Sequence, residues 1–235
     1  GPMDLHQAYA TIGNHKEFPL SLKVGRQELS YGDERLIGAF DWNNLGRTFD
    51  AAKLRWQNLW FSADFFTSRV VIPDDNGFNT ANDYDWFSGM HATAKLIPKQ
   101  STEFYVLARN TSAGSPTVNG KGQPATLNGP SARDIYTIGT RWKSLPGELG
   151  HWDYTVELAA QFGHFNDPLA PVKSLDHEAY AAFAGGGYTW TESKYTPRLG
   201  LEYNFASGDS SATDGKHGTF ENLFPANHKF YGFMD

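Results

Sequence analysis

Large apolar residues recur at every second position through most of this chain. In the stretch 199–206, Leu199, Leu201, Tyr203 and Phe205 fall on one side, while Gly200, Glu202 and Asn204 fall on the other. A period of two is the repeat of an extended strand. The same reading places strands at 20–27, 50–57, 59–70, 84–97, 102–110, 132–143, 151–163, 177–191 and from 196 onward, with a weaker candidate in 4–13. Residues 228–235 read as the start of another. The segment 28–49, rich in Gly, Asp, Asn and Arg, carries a local helical pattern at 35–40. Connections alternate between short and long, the long ones including 111–131, 164–176 and 207–228. In a sheet that runs up and down, this alternation gathers all long loops at one end.

Parity sorts the strands into two chemically distinct faces. One holds Ala52, Leu54 and Trp56; Leu59, Phe61, Ala63 and Phe65; Trp86, Met90, Ala92, Ala94 and Leu96; Tyr136, Ile138 and Trp142; and Trp152 through Phe162 at alternate positions, with aromatic residues near the strand ends. The other holds Lys53 and Arg55, Asp64, His91 and Lys95, Tyr105 and Arg109, Arg133, Arg141 and Lys143, Glu157, and Arg198, Glu202 and Asn204. On that face the cations outnumber the carboxylates. An apolar outside with aromatic girdles around a polar inside is the pattern of a transmembrane β-barrel. Rings of Arg and Lys in a wet lumen select anions. A soluble two-sheet sandwich gives the same parity, because it buries its apolar face and wets its polar one, so periodicity leaves both readings open.

Composition narrows the choice. The chain has 235 residues, 24 glycines, 15% aromatic residues and no cysteine, which excludes a disulfide framework. Mean hydropathy is negative, and no apolar run approaches the ~18 residues of a membrane helix. A net charge of −6 argues against general nucleic-acid binding. Gly1-Pro2-Met3 reads as a tag remnant, leaving 4–235 as a single β domain. Zinc spacing, a phosphate-cradling loop and a nucleophile elbow are all missing from the sequence. No cofactor is expected. Asp74-Asp75-Asn76 and Asp83 with Asp85 offer oxygen ligands suited to calcium but lack the EF-hand order, and they read better as turn residues. Gly185-Gly186-Gly187 reads as a close strand approach or a bend.

Several segments in sequence resemble the alginate export proteins, bacterial outer-membrane barrels that pass an anionic uronate polysaccharide. They are Val24-Gly-Arg-Gln27, Phe49-Asp-Ala-Ala-Lys-Leu-Arg-Trp56, Ala206-Ser-Gly-Asp209 and Thr219-Phe-Glu-Asn-Leu-Phe-Pro225, followed by His228 and Tyr231-Gly232. The resemblance implies an antiparallel up-and-down barrel of about 18 strands, of which ten and a stub are present here, so that 4–235 reads as a piece or a reduced form of such a barrel. It implies an arginine-rich, acid-punctuated conduit gated by loops, in a Gram-negative outer membrane, with an anionic polysaccharide, outer-membrane lipid and periplasmic export machinery as partners. Arg26 and Arg55 match conduit arginines, and Asp64 matches an acidic partner. For Arg26, parity points outward unless a bulge at Gly25 turns it inward. Lys53, His91, Lys95, Arg109, Arg133, Arg141, Glu157, Arg198 and Glu202 join the expected conduit by parity. The 220–225 segment is expected to fold back into the barrel mouth.

Two other functions fit the residue types. A polysaccharide lyase or hydrolase could use His91, Tyr105, Arg109 and Glu157, with Arg neutralising a uronate acid and His or Tyr as base, although their spacing forms no motif. A carbohydrate-binding module or assembly fragment would bury the aromatic face in a partner. Solubility without detergent separates these from a membrane channel.

Overall fold

Each long strand from residue 8 to residue 206 pairs with the next long strand in the chain, so the sheet is an antiparallel meander. The computed structural model describes residues 4–13, 17–41, 46–74, 77–113, 117–118, 124–125, 132–166, 174–211, 213–226 and 229. The strands are β1 (Ala8–Ile12), β2 (Leu20–Gln27), β3 (Phe49–Gln57), β4 (Phe61–Ile72), β5 (Thr80–Ala94), β6 (Gln100–Thr111), β7 (Thr117–Val118), β8 (Pro124–Ala125), β9 (Arg133–Ser144), β10 (Trp152–Asn166), β11 (Ser174–Thr189), β12 (Arg198–Ala206) and β13 (Lys216–His217). The main sheet runs β1-β2-β3-β4-β5-β6-β9-β10-β11-β12, with β13 added in parallel to β11. Strands β7 and β8 form a separate ribbon. The sheet edges are β1 and β12, and no pairing joins them among the described residues.

Register carries the two faces across the whole sheet. Leu22, Leu54, Phe65, Met90, Val106, Ile138, Ala160 and Tyr180 form one continuous row. Arg55, Asp64, His91, Tyr105, Gly139 and Ala159 form a row on the opposite side. The first row lies on the open, apolar face and the second on the covered face, called here outer and inner. Two segments do the covering, between β2 and β3 (described at 28–41 and 46–48) and after β12 (described at 207–211 and 213–226).

Those segments are fastened to each other before they meet the wall. Ile37 and Phe224 form a parallel bridge, Gly38 N–H donates to the Phe224 carbonyl at 2.9 Å, and Phe224 N–H donates to the Leu36 carbonyl at 2.9 Å. Leu29, Ile37, Leu223 and Phe224 then pack on Phe49, Phe66, Phe87, Tyr105 and Leu107 of the inner face. Phe49 and Phe87 are fully buried, and rings of this size contribute about 1.5–3 kcal/mol each on burial. Phe224 lies edge-on to both, with centroids 5.2 and 5.0 Å away. The expected fold-back of 220–225 is therefore present, with Phe220, Leu223 and Phe224 all buried.

Several expectations need correction. The inner face is not polar along its length, because Phe49, Phe66, Phe87, Leu107, Ile135, Leu175 and Phe183 also point inward and are buried. The connections alternate less strictly: β4, β5, β10 and β11 extend further than the periodicity indicated, leaving 73–79 and 167–173 no longer than 13–19 and 145–151. Residues 35–40 form no helix. They are bent and extended, since Ile37 pairs with Phe224. Asp83 and Asp85 lie on opposite faces, Asp83 paired with Arg69 and Asp85 with Arg109, so they cannot share a cation. Asp75 and Asn76, and the strand start expected at 228–235 apart from Lys229, lie outside the described residues, as does Gly1-Pro2-Met3.

Candidate functional site

Toward the short connections the inner face opens into a polar cavity of about 230 Å³, lined by Tyr31 and Gly32 of the 28–48 segment and by Lys53, Arg55, Asp64, His91, Glu103 and Arg141 of the wall. Antiparallel register builds it, because Arg55 stands opposite Asp64, Asp64 opposite His91, and Glu103 opposite Arg141 on neighbouring strands. Asp64 accepts from the Tyr31 hydroxyl at 3.0 Å and lies 3.5 Å from Lys53 and 3.3 Å from Arg55. Burial, reinforced by the Asp64 charge, pushes the Tyr31 phenol far up and keeps it a donor. His91 Nε2 is 3.3 Å from Glu103, and its ring stacks on Tyr31 at 4.6 Å.

Arg141 reaches carboxylates on both sides. Its Nε donates to Glu103 at 3.0 Å and its Nη2 also donates to Glu103. Nη1 lies 2.8 Å from Asp33, whose other oxygen takes Lys143. Burial works against the Asp33 charge, but Lys143 and Arg141 outweigh it and hold this carboxyl below its ordinary range. Beside the polar cavity, Tyr105 donates to Glu157 at 3.0 Å. Glu157 and Tyr105, with Arg35, Phe183 and Asn204, line a neighbouring cavity of about 280 Å³. Gly139 sits beneath the Tyr105 ring, where a methyl group would stand 2.3 Å from Cζ.

A second charged cluster lies at the long-connection end. Arg109 Nε and Nη2 donate to Asp85 at 3.1 and 2.7 Å, and Nη1 donates to Glu221 at 2.8 Å. Arg133 Nη1 donates to the other Glu221 oxygen at 2.6 Å. Gln161 closes the group, donating to the Glu221 carbonyl and accepting from its N–H, both at 2.8 Å. Arg47 donates to the carbonyls of Gly38 at 3.1 Å and Pro225 at 3.0 Å. Burial, with the nearby charge of Arg109, lowers Arg47 to about 10, so it stays cationic at neutral pH.

Of the residues expected in a conduit, Lys53, Arg55, Asp64, His91 and Arg141 converge on the polar cavity, and Glu157 adjoins it. Arg109 and Arg133 belong to the second cluster. Arg198 lies at the edge, bound to Asp153 at 2.8 and 2.7 Å, with its guanidinium over Gly187. Glu202 faces inward on exposed β12, and Lys95 is exposed just past β5. Arg26 is a correction. The β2–β3 register is unbroken at Gly25, whose φ of 126° is accommodated within the strand, so Arg26 stays on the outer side with Val24. There it donates to Asp50 at 2.8 and 3.1 Å.

The cations of this face are paired rather than free, since carboxylates engage every conduit arginine described above, two of them, Asp33 and Glu221, supplied by the covering segments. Glu103 and Asp85 were within reach of parity, sharing a face with Tyr105 and His91 respectively. Asp33 and Glu221 were not, because they sit on aperiodic segments. The lyase grouping does not assemble either: Tyr105 meets Glu157, but Arg109 lies in another register row, held by Asp85 and Glu221.

A meandering antiparallel sheet with an apolar outer face and a charged, loop-covered inner face defines a wall of the up-and-down β-barrel class. Among the described residues no helix is long and apolar enough to cross a membrane, which leaves crossing by strands untouched. The chain belongs to the alginate export family, whose model matches residues 2–235. Comparison with curated proteins finds no match.

Proposed function

We propose that this protein is an outer-membrane channel wall that passes an anionic polysaccharide, alginate or a similar polyuronate, along its inner face. The observation that carries this reading is the meeting of Lys53, Arg55, His91 and Arg141 in one polar cavity, on the covered side of a sheet whose other side is apolar. Membership of an export family supports it. A lipid-facing outer surface follows from the exposed row of Leu22, Leu54, Phe65, Val106, Ile138 and Tyr180, and the short connections face the periplasm, where export machinery would deliver the polymer.

Transport of a polyanion requires contacts strong enough to desolvate each carboxylate and weak enough to release it. Guanidinium–carboxylate pairs supply the first. Asp64 and Glu103 supply the second, because each holds cations that would otherwise bind the polymer too tightly. Movement is then an exchange of partners, wall carboxylate for polymer carboxylate, with little net change in charge pairing. Conductance across planar bilayers, measured with and without alginate oligomers, tests this. Anion preference and block by the oligomer are expected. A channel that shows neither refutes the reading.

A further inference from the structure

The two charged clusters share one architecture. In each, a wall carboxylate takes the Nε/Nη2 edge of a wall arginine, Glu103 on Arg141 and Asp85 on Arg109. In each, Nη1 is left to a carboxylate from a covering segment, Asp33 at 2.8 Å on Arg141 and Glu221 at 2.8 Å on Arg109. The second oxygen of that carboxylate rests on a further wall cation, Lys143 for Asp33 and Arg133 for Glu221. The wall thus presents two clamps, each a guanidinium with one free face beside a second cation. Both are filled by an acid that belongs to a covering segment rather than to the wall.

We propose that Asp33 and Glu221 are built-in stand-ins for uronate carboxylates, and that the polymer opens its own path by displacing them from the Arg141/Lys143 and Arg109/Arg133 clamps. This rests on the reading of the inner face as a polyuronate path. Strand β9 contributes a cation to each clamp, Arg133 and Arg141, which lie eight positions apart, roughly 27 Å along an extended strand. A single sugar cannot bridge that distance, whereas an oligomer can engage both clamps and gain from the linkage. Because the Ile37–Phe224 bridge ties the segments together, release of one loosens the other.

The test is conductance of the bilayer-inserted protein, first without polymer and then with alginate oligomers, using neutral dextran of equal length as a control. Asp33→Asn and Glu221→Gln should each raise basal conductance and lower the oligomer concentration needed for half-maximal effect roughly tenfold. Glu192→Gln, on the exposed β11–β12 turn, should behave as the parent. Heat-modified gel mobility checks that each variant is folded. Unchanged conductance and oligomer response in both neutralised variants would overturn the proposal, and leave the channel reading standing if oligomer still blocks. Raised conductance with no oligomer response in any variant would overturn both.

Discussion

Toward the long connections the two covering segments are held by aromatic packing, with Phe224 between Phe49 and Phe87 and Leu223 in the same cluster, and also by Glu221 on Arg109 and Arg133. Toward the short connections the 28–48 segment is held by charge, through Asp33 on Arg141 and Lys143 and Tyr31 on Asp64. The first kind of contact has no polar competitor, and water weakens it little. The second can be traded for any carboxylate of suitable geometry. Aromatic packing is thus confined to one end of the covering segments, whereas both ends carry carboxylate–guanidinium pairs, Asp33 on Arg141 and Glu221 on Arg109.

The comparison can be broken most forcibly at the aromatic end. Phe224→Ala removes a ring that is 5% exposed and touches both Phe49 and Phe87, and should cost about 3–5 kcal/mol. Denaturant unfolding would measure that loss, and hydrogen exchange should show both covering segments released. A smaller change, about 1–3 kcal/mol from overpacking, is expected for Gly139→Ala, since the new methyl would collide with the Tyr105 ring and pull its hydroxyl from Glu157. Its readout is a lowered unfolding midpoint with the aromatic contacts intact.

Acid should then loosen the tie at Asp33. The folded-state pKa of Asp33 lies below its ordinary 3.8. Its tie to Arg141 and Lys143 is thus complete above that value and is lost as pH falls through the lower folded one. Hydrogen exchange of the 28–41 stretch, compared at each pH with Asp33→Asn, should show the wild type protected above the ordinary carboxylate value and converging on the variant as pH falls through the lower folded one. The smallest effect on stability, below about 1 kcal/mol, is expected for Arg55→Gln, because Arg55 is 41% exposed and Asp64 keeps Lys53 and Tyr31. Its reversal potential in a salt gradient should nonetheless shift toward weaker anion preference.

Much of this molecule was legible in the alternation of residues. Leu54, Phe65, Met90, Ile138 and Ala160 on the outer face follow parity, as does the inward direction of Lys53, Arg55, Asp64, His91, Tyr105 and Arg141. The same parity, read selectively for charge, hid Phe49, Phe66, Phe87 and Leu107, which share that face. It also passed over Glu103 and Asp85, two strand carboxylates that hold Arg141 and Arg109. Arg26 shows the opposite limit, where an expected role suggested a bulge that the continuous β2–β3 register does not contain.

By itself, then, the sequence determined the meander, the apolar outer face and the family. A strand's period is local, and pairing with the next strand needs only a short connection, so neighbouring residues carry that information. Tertiary structure alone decided which acids neutralise which cations. Arg141 meets Asp33, and Arg109 meets Glu221, across long stretches of chain and through segments with no period to read. That pairing depends on two loops packing together around Phe224 and being laid as one body on the wall, a cooperative event no single stretch encodes.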